Sequence, residues 1–128
     1  MEKFRTPLSR VRLWGSAKAG SGLFVAQRLT AIALVPISLW FVASVIFFIV
    51  KADHAALVAW LQSSWNAEIL ILLILAMFYH GYLGVHEVVE DYVHHEVVKA
   101  ITLVSMKFVI IAITVASVLA VLRIALGT

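Results

Sequence analysis

An all-α integral membrane protein with three transmembrane helices is the fold class this sequence predicts, and three observations predict it. Hydrophobic residues make up 63% of the 128 positions and charged residues only 13%, against roughly 25% charged in a soluble domain. Three apolar runs, at about residues 29–50, 67–89 and 100–122, are each long enough to cross a hydrocarbon core of roughly 30 Å. The polar sequence left over is too short for a second domain, so residues 1–128 read as one membrane-embedded domain.

The chain opens with a basic segment, residues 1–22. Six of the ten Lys and Arg residues, Lys3, Arg5, Arg10, Arg12, Lys18 and Arg28, precede the first long apolar run. Beside a membrane span such a segment reads as an orientation signal rather than a nucleic-acid arm, and it places the N-terminus in the cytoplasm. Leu29 to Val50 then holds 22 positions without a charge. That is too long for a signal-peptide core, and no small-x-small cleavage site follows, so the run reads as retained. Pro36 inside it is tolerated in a membrane helix, with a kink as the expected cost.

Lys51 to Ser64 is mixed. Asp53 suits the start of a short helix, and Trp60 and Trp65 suit the headgroup belt. The second span starts near Ala67, with Asn66 as the expected N-cap and Glu68 at the positive end of the helix dipole. Glu87 to Lys99 carries four acids and the adjacent His94 and His95, read as a solvated turn. The third span is interrupted by Lys107 and closed by Arg123 and Gly127. Three crossings put the Lys51–Ser64 loop and the C-terminus outside, and the acidic loop in the cytoplasm with Arg28.

The chain has no cysteine. That excludes disulfides, iron–sulfur ligation and covalent haem attachment from it. The chemistry rests instead on His80, an imidazole inside an apolar span, where a polar group needs a partner. At 100° per residue Ala76, His80, Gly84 and Glu87 share a face, joined by Asp91 if the helix persists. The small residues one turn either side of His80 leave a shallow surface that suits a porphyrin plane or close helix packing. His80 can therefore be a residue hydrogen-bonded to a neighbouring helix, a proton relay or a metal ligand. His86 lies about 120° away, and no other histidine falls well inside a span. A six-coordinate haem would need its second axial ligand from another chain. Arg28 reads as a snorkelling residue or as a cation for an anionic group such as a haem propionate. Asp91 and Tyr92 read as a solvated helix end or as a quinone site, with the phenol donating to a quinone carbonyl and the carboxylate relaying protons. Lys107 faces a neighbouring subunit or a wet cavity and is assigned no role.

The run His80-Gly81-Tyr82-Leu83-Gly84-Val85-His86-Glu87-Val88-Val89-Glu90-Asp91-Tyr92-Val93 resembles the core of the smaller hydrophobic membrane-anchor family of bacterial succinate dehydrogenase, complex II. A histidine, a glycine four residues on, and Asp-Tyr-Val after seven more carry the resemblance. Gln27-Arg28-Leu29-Thr30-Ala31-Ile32 resembles the family's arginine followed by Thr-Ala at the start of helix one. The three-span layout matches as well, so the resemblance covers most of the chain. It implies that His80 is an axial ligand of the haem b iron, with the other ligand from the second, larger membrane-anchor subunit. Asp91 and Tyr92 would form part of the ubiquinone site, and Arg28 would lie near the haem propionates. Nothing carries over to His86, where the family varies.

The resemblance further implies half of a two-chain anchor bundle in the bacterial inner membrane. A flavoprotein subunit that oxidises succinate and an iron–sulfur subunit would dock on its cytoplasmic face, and electrons would pass through the clusters to ubiquinone. This chain would perform no succinate chemistry. Two other readings stand beside it: a fumarate reductase anchor running the reaction in reverse, and a cofactor-free structural or transport subunit.

Overall fold

The computed structural model describes the backbone of residues 7–128 and the side chains of residues 22–128. Lys3 and Arg5, and the side chains of Arg10, Arg12 and Lys18, lie outside the described residues, and with them most of the basic segment. Four α-helices follow in order: α1 (Pro7–Phe47), α2 (His54–Gln62), α3 (Ser64–Tyr92) and α4 (Glu96–Leu126), with a 3₁₀ turn at Ile49–Lys51. Among the described residues three stretches are long and apolar enough to cross a membrane: Gly22–Lys51, Ser64–Tyr92 and Glu96–Leu126. At 29 to 31 residues each, they rise about 43–46 Å. That exceeds the hydrocarbon core, so their ends reach the headgroup region.

Local chemistry sets the helix ends. Helix α1 continues through Pro36, although the ring removes one intrahelical hydrogen bond. Asp53 caps α2, its Oδ1 accepting from the Ala56 amide at 2.8 Å. Trp60 of α2 stacks on Trp40 of α1, ring centroids 5.7 Å apart, which pins the short helix against the first span.

The start of α3 differs from the expectation. Ser63, not Asn66, is the N-cap residue, and its side chain makes no capping bond. The Asn66 amide instead donates to the Trp60 carbonyl at 3.0 Å, near the end of α2. The carbonyls at a helix C-terminus lack intrahelical partners, so a donor that reaches one is favoured there over a local cap. The link from α3 to α4 is also shorter than the expected loop, because α3 runs on to Tyr92 and only residues 93–95 separate the helices. His94 and His95 are exposed there, and His95 Nδ1 caps α4 by accepting from the Val98 amide. Gly127 ends α4 in the left-handed region (φ 75°), where a side chain would be strained.

Helix α3 is central, packed against α1 on one side and α4 on the other, while α2 sits across α3 and α4. Among the described residues few side chains are buried, Leu73 and Leu83 among them. Most large apolar side chains of the spans face outward, as a surface meant for lipid and partner chains does.

Candidate functional site

His80 sits at the middle of α3, half-buried against α1. Its Nδ1 lies 2.9 Å from Thr30 Oγ1. The same hydroxyl lies 2.9 Å from the Ala26 carbonyl and 3.0 Å from the Gln27 carbonyl. Carbonyls only accept, and a hydroxyl has one proton to give. All three contacts are satisfied together when Thr30 donates back to its own helix and accepts from His80 Nδ1–H. If the hydroxyl donated to Nδ1 instead, its lone pairs would face two carbonyl oxygens. This arrangement fixes the tautomer and leaves the lone pair of Nε2 free.

One turn along, Gln27 packs against Gly84. A Cβ built on Gly84 would meet only Gln27 Nε2, at 3.8 Å, and one built on Gly81 would meet nothing within 4 Å. The surface beside His80 is therefore shallow. Gln27 Oε1 is buried without a hydrogen-bond partner. Buried polar oxygens are rarely left so, and this one calls for a donor from outside the described residues.

Pairing of Thr30 with His80, and of Gln27 with Gly84, sets an antiparallel register between α1 and α3. Arg28, two residues before Thr30, consequently lies about half a turn toward the 93–95 link from His80 and about 160° around α1 from Thr30. It is exposed, with its guanidinium carbon 5.1 Å from the centre of the Phe24 ring, a cation–π contact along its own helix. Because α3 is continuous to Tyr92, Asp91 projects within about 20° of the His80 direction and about 16 Å further along the axis. Asp91 and Tyr92 are both exposed, Tyr92 at 77%.

His80 and Thr30 thus meet at the α1–α3 interface, Arg28 is exposed on the other side of α1, and Asp91 with Tyr92 stands three turns away at the helix end. His86 belongs to neither group. It lies 3.8 Å from Glu90 and beside the Tyr82 ring, on a different side of α3. Thr30 and Gln27 are the site residues that sequence reasoning passed over. Thr30 stood inside the Arg-x-Thr-Ala segment, but nothing in the sequence said that its hydroxyl meets position 80.

Among the described residues no three His, Asp or Glu side chains converge, so a bare metal ion finds no ligand set. A metal already carried in a macrocycle needs only one axial nitrogen from this chain, and His80 Nε2 fits that requirement.

The fold and this site define a multi-pass helical membrane subunit with one oriented imidazole on its central span. The family model of the succinate dehydrogenase/fumarate reductase transmembrane subunit matches residues 2–121. The succinate dehydrogenase hydrophobic membrane anchor subunit of Rickettsia bellii is 31% identical over 121 residues, covering 92% of this chain and 94% of the relative. That of Rickettsia conorii is 30% identical over 115 residues, covering 86% and 88%. The chain belongs to the succinate dehydrogenase/fumarate reductase transmembrane subunit family.

Proposed function

We propose that this chain is the hydrophobic membrane anchor of a succinate:ubiquinone oxidoreductase in a bacterial inner membrane, supplying one axial ligand of haem b and part of the ubiquinone-reduction site. The observation that carries the reading is the Thr30–His80 hydrogen bond. A histidine that only packed could satisfy either nitrogen. Here one nitrogen is spent on orientation, and the other keeps a lone pair beside a shallow surface with an orphaned oxygen nearby. Ligating histidines are commonly held in this way.

Haem b, when bound, supplies a one-electron centre inside the membrane. Toward it His80 Nε2 offers the iron ligand, Thr30 holds the ring, and Arg28 offers a cation to a propionate at the cytoplasmic side. The remaining iron ligand would have to be supplied by a second anchor subunit. Tyr92 donates a hydrogen bond to a ubiquinone carbonyl oxygen, and Asp91 holds and relays protons taken up as the quinone accepts two electrons and two protons. The electrons originate in succinate oxidation on the flavoprotein subunit and arrive through the iron–sulfur subunit, both docked on the cytoplasmic face. Exposure of Asp91 and Tyr92 at the end of α3 fits a pocket that this chain lines on one side only.

Two variants of the purified complex test the assignment. His80→Ala is expected to perturb or abolish the reduced-minus-oxidised b-type spectrum. An unchanged spectrum would favour a cofactor-free role for position 80. Tyr92→Phe is expected to lower quinone reductase activity while succinate oxidation with an artificial acceptor survives. Equal loss of both activities would count against a quinone contact.

A further inference from the structure

A groove of about 680 Å³ runs between α3 and α4, on the side of α3 that carries Tyr79 and Tyr82. Its walls are apolar, Leu72 and Val115 among them, except for Lys107, the two tyrosines and Thr114. The Thr114 hydroxyl is already spent on the Ile110 carbonyl at 2.7 Å. Lys107 is the one charged residue on the groove, and among the described residues it has no carboxylate partner. A lysine within a span needs a counter-charge or a route to water.

The polar features are not spread evenly. Helices α3 and α4 run antiparallel, so Lys107 and Tyr82 lie at one level, at the end of the groove toward the 93–95 link, while Leu72, Thr114 and Val115 lie further from the link. Tyr82 is about 7.5 Å below Glu87, and Lys107 about 12 Å below Lys99, at 1.5 Å per residue. Helical side chains lean toward their own N-terminus, which for Lys107 is the link end. Its four-carbon stem therefore carries the ammonium up toward the headgroup level. The groove is thus cationic with a phenol at its shallow end and apolar along its depth. Its volume falls in the range of roughly 300–1,000 Å³ that holds one small molecule.

We propose that this groove binds an anionic phospholipid of the surrounding bilayer, its phosphate paired with Lys107 and one acyl chain lying along α3 and α4. The charge selects against neutral lipid and against a quinone tail, which offers nothing to an ammonium. The one-ended polarity matches an amphiphile better than a flat protein face. Basic positions between membrane helices at the cytoplasmic side serve lipid headgroups in the same way. The site is separate from His80, Asp91 and Tyr92 and does not depend on their roles.

The test uses the assembled complex, stripped of lipid in detergent and titrated with dioleoyl phosphatidylglycerol or dioleoyl phosphatidylcholine, with retained lipid counted by native mass spectrometry. The intact complex is expected to retain phosphatidylglycerol about fivefold more tightly, matching the roughly 1 kcal/mol that one near-surface lysine contributes. Lys107→Gln should bring the two lipids to parity. Ile111→Trp, which fills the groove from an outward-facing position, should reduce retention of both. Equal retention by the intact complex, or an undiminished preference in Lys107→Gln, would overturn the proposal. So would loss of another subunit in Lys107→Gln, which would identify a protein carboxylate as the partner. Displacement of phosphatidylglycerol by added ubiquinone would overturn it as well, in favour of a quinone site.

Discussion

Thr30 governs which nitrogen of His80 is available, and one methyl-for-hydroxyl exchange isolates that effect. Thr30→Val keeps the shape of the side chain and removes the acceptor for Nδ1–H. Loss of such a supporting bond commonly weakens a metal site by roughly 10- to 100-fold. The variant is therefore expected to retain less haem b and to show a shifted midpoint potential, while Thr30→Ser restores both. A Val variant with haem content and potential like the parent would mean that the bond orients nothing. Asp53 offers a second residue-scale test, on folding alone. Its carboxylate accepts the Ala56 amide at the start of α2, and Asp53→Ala should cost about 1 kcal/mol. The expected signature is a lower thermal midpoint for the purified complex with an unaltered haem spectrum.

At the scale of elements, α3 does most of the positioning. It is one uninterrupted helix from Ser64 to Tyr92, so His80 and Asp91 keep a fixed angle and spacing. The small residues at Ala76 and Gly84 flank His80 on that helix. Gly84→Ala should be accepted, because the added methyl would make only an ordinary contact with Gln27. Gly84→Leu is expected to push into the surface proposed for haem and a second anchor subunit, and to lower haem content in the purified complex. If Leu is accepted as readily as Ala, that surface is open to lipid and not to a partner. Helix α2 and its Trp60–Trp40 stack lie at the opposite end of the molecule, so changes there should leave the haem spectrum alone.

On the scale of the whole molecule, orientation is the property to measure. The basic residues ahead of the first span predict a cytoplasmic N-terminus. Three crossings then place the 93–95 link in the cytoplasm and Thr128 outside. Reporter fusions should give an alkaline phosphatase that is active at residue 128 and inactive within the link. The reverse pattern would move Asp91 and Tyr92 away from the face proposed for docking of the flavoprotein and iron–sulfur subunits, and the ubiquinone assignment would go with it. The outward apolar faces of α1, α3 and α4 fit a membrane protein that completes itself only with lipid and partner chains.

The amino-acid sequence by itself determined the class and layout of this protein. A span is a one-dimensional property: twenty or so apolar residues in a row must cross a bilayer as helix, whatever they later pack against. The alignment of Asp91 with His80 was also legible, because both lie on one helix and its period is fixed. Only the tertiary structure decided what His80 meets. Thr30 is fifty residues away in the chain, and its contact depends on how α1 and α3 slide and rotate against each other. Helix register between spans comes from side-chain packing over the whole interface, which no local pattern encodes. The same holds for the Asn66 bond to Trp60 and for the groove that Lys107 enters, since each joins groups from different helices.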